Sequence, residues 1–321
     1  MKQRVVVLGA GGFIGRRIVS ALAACDWATP VAAGHSRPVG RPTGVETMMV
    51  DVTSAASLRP AFTGASAIVN CVAGNAATLV DGARVLFSVT ASMQPPPRVV
   101  HLSTMSVYGS TTGLVDEAAA LRGDLDVYSA AKTAAEQLSA GHPDVIHLRP
   151  GIVYGPESPL WSGLLGELLL ARRLGDLGAA GAGVCNLVHV DDVAKAVLLT
   201  LRQSGIEGQA FNLSSPVAPT WNGYFQRYAD ALGAGPVRRI SAARLAYELR
   251  LLGPLLKIIE LIAGRAGVRT SPPIRPWLTA LCRHDIRLNV ARAERVLGLQ
   301  WTPLDRGLRE TAAWFHAARR R

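Results

Sequence analysis

The chain opens on four apolar residues in a row, Val5-Val6-Val7-Leu8, which predict a buried strand. The next stretch, FIGRRIVSALAA, spaces Phe13, Ile14, Ile18 and Leu22 along one face of a helix. The same alternation recurs down the chain. PVAAGHS predicts a second strand, VETMMVDVT a third ending at Asp51, ASAIVNCVAG a fourth, RVVHLSTMSVYG a fifth and DVIHLRPGIVYGP a sixth. Helices are predicted between them over 54–63, 76–94 and 127–140. Strands that alternate with helices predict the α/β class, a doubly wound parallel sheet. After Pro156 the pattern breaks into helical and irregular stretches, returns briefly to strands at CNLVHV and QAFNL, and ends in a helix-rich tail.

The turn between the first strand and its helix carries Gly9, Gly12 and Gly15. Glycine is required where a backbone turns tightly and comes close to a pyrophosphate, which the helix N-terminal amides and dipole then hold. This predicts a dinucleotide site, with Phe13 and Ile14 at the helix start. The spacing is Gly-x-x-Gly-x-x-Gly and not the Gly-x-Gly-x-x-Gly of the standard fingerprint. The expected organisation is a Rossmann domain over 1–155, completed by 185–215, and a smaller, mostly helical substrate lid formed by 156–184 and 216–321.

Composition narrows the classes. A chain of 321 residues that is 49% hydrophobic buries a full core. No run of eighteen apolar residues reads as membrane-spanning, and the opening strand is too short for a signal-peptide core, so a cytoplasmic location is expected. Cys25, Cys71, Cys185 and Cys282 are far apart and form no Cys-x-x-Cys, which points to neither zinc nor a disulfide framework but to buried thiols. The seven histidines show no ligand spacing, and no metal is expected. The formal charge of +11 comes mostly from arginine and is dense in the C-terminal part. It suits a solvated surface, an anionic ligand or a membrane surface; no nucleic-acid motif accompanies it, and none is expected as partner. The stretch 247–264, YELRLLGPLLKIIELIAG, is apolar enough to touch lipid, to wall a substrate pocket or to form a subunit contact such as a homodimer.

One pair stands out chemically. Tyr128 lies four residues before Lys132 in VYSAAK, a spacing expected about 0.07 times by chance from six tyrosines and four lysines. On a helix both side chains share a face and reach one ligand.

Taken in order, the glycine turn, STMSVYG (103–109), YSAAK, LRPGIVYGP and LVHVDDVAKAV resemble the extended short-chain dehydrogenases/reductases, the group that includes nucleotide-sugar epimerases and dehydratases. The likeness covers about the first 215 residues, and LNVARAERVLGLQWTPLDRGLRET resembles that group's C-terminal segment. It implies that Tyr128 exchanges a proton with the substrate's hydroxyl or carbonyl oxygen. Lys132 would hold the nicotinamide ribose and lower the tyrosine's pKa. Thr104 would hydrogen-bond the same oxygen, with Ser103 as the adjacent alternative. It also implies cofactor contacts at Asp51 and Val52 along the adenine edge, at Val72, Ala73 and Gly74 where the fourth strand passes, and at Pro150, Ile152 and Val153, whose backbone would face the carboxamide. In the dehydratases an Asp-Glu pair follows the threonine; here Met105 and Ser106 stand there, and neither replaces a carboxylate in acid–base work. Oxidoreduction of a small, lipophilic substrate is the leading expectation. Epimerisation of a nucleotide sugar with a retained dinucleotide and a non-catalytic dinucleotide sensor are the alternatives. His189 and the Asp191-Asp192 pair are read as a structural turn into a helix with Asp as its N-cap.

Cofactor choice is read after the second strand. An NAD site usually offers a carboxylate about twenty residues beyond the glycines. His35, Ser36 and Arg37 offer donors and positive charge instead, which suits the 2′-phosphate of NADP; if they are plain loop residues, NAD is the alternative. NADP(H) is therefore expected to bind more tightly than NAD(H), and Arg37→Asp to narrow or reverse the preference, because a charge-assisted phosphate contact contributes about 1.5–3 kcal/mol. Titration of both cofactors against both proteins checks it, and equal wild-type affinities would place Arg37 elsewhere.

Overall fold

The computed structural model describes residues 2–35, 44–142, 144–248, 250 and 274–320. Six predicted strand segments appear at their expected places, with shifted or trimmed ends: β1 (Gln3–Leu8), β2 (Ala28–Gly34), β3 (Glu46–Met49), β4 (Ala67–Asn70), β5 (Arg98–Leu102) and, beyond the short β6 (Gly113–Val115), β7 (Val145–Pro150). The sixth segment does not continue as one strand. It breaks at Gly151, whose amide donates to Leu213, and restarts as β8 (Ile152–Tyr154), which leaves the main sheet and pairs with β9 (Leu187–His189). The QAFNL stretch forms β10 (Ala210–Leu213) and joins the main sheet beside β7. The seven-stranded order is β10-β7-β5-β4-β1-β2-β3, and each adjacent pair is parallel. A further strand, β11 (Ile286–Leu288), pairs with β6.

Alternation along the strands fills both faces of this sheet. Val5 and Val7 pack with Ile18, Val19 and Leu22 of α1 (Phe13–Ala23) and with Val193 and Val197 of a later helix, 190–202. Val6 and Leu8 turn the other way, toward Leu58 of α2 (Ala55–Ala61) and Ala83, Leu86 and Phe87 of α3 (Ala76–Ala91). Ala135 of α4 (Val127–Gln137) closes that face. Runs apolar at every position are what a sheet buried on both sides demands. A third cluster lies in the segments after Pro156: Leu165, Leu168, Trp221, Tyr224, Phe225, Tyr228, Leu278 and Phe315 pack together, and Met105 and Tyr108 reach into it from the loop after β5.

The glycine turn packs backbone directly against backbone. Gly9 has φ of +74°, and a Cβ there would stand 2.7 Å from the Cys71 carbonyl oxygen. A Cβ on Gly15 would stand 2.3 Å from the Gly9 carbonyl oxygen, so the third glycine lets α1 lie directly on the turn that starts it. Gly15→Ala should lower the unfolding free energy by roughly 1–3 kcal/mol, the scale of an overpacked site whose neighbours are backbone. Gly11→Ala, whose Cβ would meet nothing within 4 Å, should leave it nearly unchanged. Urea denaturation of both variants measures the contrast, and equal stabilities would deny the close approach its cost.

Candidate active site

Because the main-sheet strands run parallel, the residues that follow them gather on one edge. Gly9 follows β1, His35 β2, Asp51 β3, Val72 to Gly74 β4, and Ser103 and Thr104 β5, while Pro150 ends β7. The glycine turn delivers the start of α1, where Gly12 is the N-cap and no side chain caps the first-turn amides of Phe13, Ile14 and Gly15. Uncapped N–H groups of this kind can hold an anion. Asp51 is exposed and accepts hydrogen bonds from the Thr53 hydroxyl (2.7 Å) and amide (2.9 Å), which, with the nearby His35, hold its carboxyl below the usual range. Val52 is buried under α3. Ser36 and Arg37 lie outside the described residues, as does 251–264 of the apolar stretch.

Thr104 and Tyr128 are brought together. Thr104 caps the short turn 105–108 by accepting from the Ser106 amide at 3.2 Å, and its hydroxyl lies near enough to the Tyr128 phenol to favour phenolate. Tyr128 keeps 44% of its surface open, so its hydroxyl is reachable. The protein packed around that hydroxyl still makes burial the larger influence and raises the phenol's pKa above its ordinary 10. Lys132 is buried one turn further along and donates to the Leu102 carbonyl at 2.8 Å. Burial brings its ammonium down to about 8, against the opposing pull of Cys71 and Glu136.

Other expected contacts are not free. The Ser103 hydroxyl donates to the buried Glu136 carboxylate, so it turns away from Thr104's partner. The Ile152 amide donates to Asn186 at 2.7 Å, and Ile152 and Val153 bury their side chains in two different clusters. Of the two residues expected to face a carboxamide beyond Pro150, Ile152 thus has its N–H committed to Asn186, just before β9.

A polar network that the sequence reading did not find lies behind this edge. Glu136 sits on the same face of α4 as Tyr128 and Lys132, two turns and one turn on. Arg149 of β7 donates to it through Nε at 3.0 Å and through Nη2, and through Nη1 to the Tyr108 hydroxyl at 2.9 Å. Tyr108 donates in turn to Asn212 of β10 at 2.7 Å. The continued i, i+4 spacing from Tyr128 through Lys132 to Glu136 was the available signal.

The turn at His189 differs from its expectation. His189, not an aspartate, is the N-cap, its Nδ1 accepting from the Asp191 amide at 3.4 Å. Asp192 is inside the first turn and binds Thr302 through amide and hydroxyl. His189, Asp191 and Glu310 come within reach of a common point. Yet Arg17 grips Asp191 and Arg306 grips Glu310, so the group reads as an ion-paired junction.

Known proteins resemble this chain in sequence and in fold. The model of the NAD dependent epimerase/dehydratase family matches residues 5–214. The ceramide reductase of Caulobacter vibrioides is 25% identical over 332 residues, covering 98% of this chain and 95% of its own. Among solved structures, UDP-glucose 4-epimerase of Thermotoga maritima with UDP-glucose superposes with a TM-score of 0.75 at 17% identity, covering 98% and 99% of the two chains. UDP-glucuronic acid 4-epimerase of Bacillus cereus with UDP-glucuronic acid and NAD gives 0.75 at 16%, covering 98% and 100%.

Lys132 should show its burial directly. In the ligand-free protein its ammonium is expected to lose its proton near pH 8, being charged below and neutral above, while an exposed lysine titrates near 10.4. Nζ resonances of the ¹⁵N-lysine-labelled protein, assigned with Lys132→Met, give the curve. A Lys132 midpoint near 10.4 would mean that water reaches the ammonium freely.

Proposed function

Since the chain belongs to the NAD dependent epimerase/dehydratase family, we propose that it is an NADP(H)-dependent reductase acting on the carbonyl carbon of a small lipophilic substrate. The observation that carries this reading is the apolar setting of the Thr104–Tyr128 pair. Met105, next to Thr104, is 93% buried and packs into the aromatic lid cluster, while Leu125 and Val127, beside Tyr128, are 46% and 74% exposed. Exposed apolar residues beside a polar reacting pair suit a substrate with a carbonyl head and a hydrocarbon body. The relative named a ceramide reductase, matched over nearly its whole length, supports the same class. The nucleotide-sugar epimerases are matched at 16–17% identity, which speaks for the shared fold.

The residues suit a dinucleotide. The uncapped amides of α1 would hold its pyrophosphate, and a side chain at Gly9 or Gly15 would meet backbone within 3 Å. Lys132 would hold the ribose hydroxyls, and His35 to Arg37 the 2′-phosphate. When bound, the nicotinamide supplies or takes the hydride. The chain's own part is a proton at one atom. With its pKa raised, the Tyr128 hydroxyl is protonated at neutral pH and donates its proton to the carbonyl oxygen, which is the direction of reduction. The Thr104 hydroxyl and the Lys132 ammonium then stabilise the phenolate left behind.

Purified protein should bind NADP(H) reversibly and consume NADPH one for one with a long-chain ketone or aldehyde, followed at the nicotinamide absorbance band. Tyr128→Phe should keep cofactor binding and lose roughly 10² or more in turnover, whereas Lys132→Met should lose in both. NAD that co-purifies tightly, with interconversion of a nucleotide sugar and no net absorbance change, would replace this reading with an epimerase.

A further inference from the structure

Helix α4 is fastened to the segment after β5 at three successive turns. The Ser129 hydroxyl donates to the Ser106 carbonyl at 2.7 Å, the Lys132 ammonium to the Leu102 carbonyl at 2.8 Å, and Glu136 accepts from the Ser103 hydroxyl. The first two carry or flank residues already placed in the reacting group. The third is a charged carboxylate with no route to substrate, since its side chain is 4% exposed and both its oxygens are taken by Ser103 and Arg149.

We propose that Glu136 is a positioning residue for the reductase reaction: by tying α4 to Ser103 on one side and Arg149 on the other, it sets Tyr128 against Thr104 and supplies the anion that faces Lys132. The inference rests on the reductase reading for its kinetic part and on the fold alone for its electrostatic part. The titratable groups that bear on Lys132 are Cys71 after β4, His101 on β5 and Glu136 on its own helix. Burial pushes the Cys71 thiol up to about 12 and keeps the His101 imidazole neutral, leaving Glu136 as the one charged member of the three near neutral pH. Arg149 and His147 of β7 face Glu136 from behind.

Glu136→Gln keeps the shape and removes the charge. Two effects are expected: the Lys132 titration moves to lower pH than in the wild type, and the alkaline limb of kcat/KM moves with it. Turnover should fall roughly 10–100-fold, the scale of an ångström-sized misplacement, while KM for the carbonyl changes little. Ser103→Ala should lower turnover a few-fold and leave the Lys132 titration in place. Glu136→Asp, which keeps the charge but shortens the reach, should behave like Ser103→Ala, and it stands in for the amide variant if that protein does not fold with Arg149 buried and unpaired. A Lys132 titration unchanged in Glu136→Gln, or full turnover in both Ser103→Ala and Glu136→Asp, would overturn the proposal and leave Glu136 a structural residue. The titration is read without substrate, so failure of the reductase reading would leave that arm standing.

Discussion

A carboxylate and a guanidinium almost out of reach of water, Glu136 and Arg149, fix how helix α4 lies on the sheet. A buried pair of this kind repays its desolvation only when its remaining donors and acceptors are met. Here they are. Ser103 takes the second carboxylate oxygen, and Tyr108 and the Glu117 carbonyl take Nη1. Asn212 accepts from Tyr108 and ties the group to β10, its own amide donating to the Glu117 carboxylate at 2.9 Å. Five segments are thereby locked in one geometry: β5's end, the loop through 117, α4, β7 and β10. The placement of Tyr128 and Lys132 at the sheet's edge follows from that lock.

The same desolvation sorts the protons. It lowers Lys132 toward neutrality and raises Tyr128, so the free protein holds a lysine that still carries its charge at pH 7 and a phenol that keeps its proton. The two shifts have one cause and opposite signs because burial always disfavours the charged form. A site poised in this way begins as an acid. In the reductase reading, the exposed flank of Tyr128 would face substrate while Lys132 stays buried against the Leu102 carbonyl.

Much of this was legible in the sequence, for identifiable reasons. Strands buried on both faces are unbroken apolar runs, so Val5 to Leu8 and the segments after it declared themselves. The turn was visible because backbone contact admits no side chain at Gly9 or Gly15. Tyr128 and Lys132 were visible because helical spacing is local. Tertiary hydrogen bonds were not. Nothing within DVIHLRPGIVYGP marks that the Gly151 amide would meet Leu213 and that the Ile152 amide would turn to Asn186, so one predicted strand became two. His189 displaced the aspartates as N-cap because Arg17 and Thr302, far away in sequence, claim Asp191 and Asp192. Ser103 read as an alternative to Thr104 until Glu136, thirty-three residues on, took its hydroxyl.

Packing also limits the chemistry this edge can perform. Met105 is buried in a cluster that includes Tyr108, Trp221, Tyr224 and the leucines of 165–169. An ionised carboxylate at 105 would lose its water among those side chains, a cost of several kcal/mol that the protein would relieve by neutralising the group unless a cation paired with it. The residue adjacent to Thr104 and the aromatic lid are therefore coupled choices. In the reductase reading, a lid packed in this way onto the loop after β5 would leave Thr104 and Tyr128 as the polar pair that meets substrate, enough to protonate a carbonyl oxygen and short of what removing water from a sugar requires.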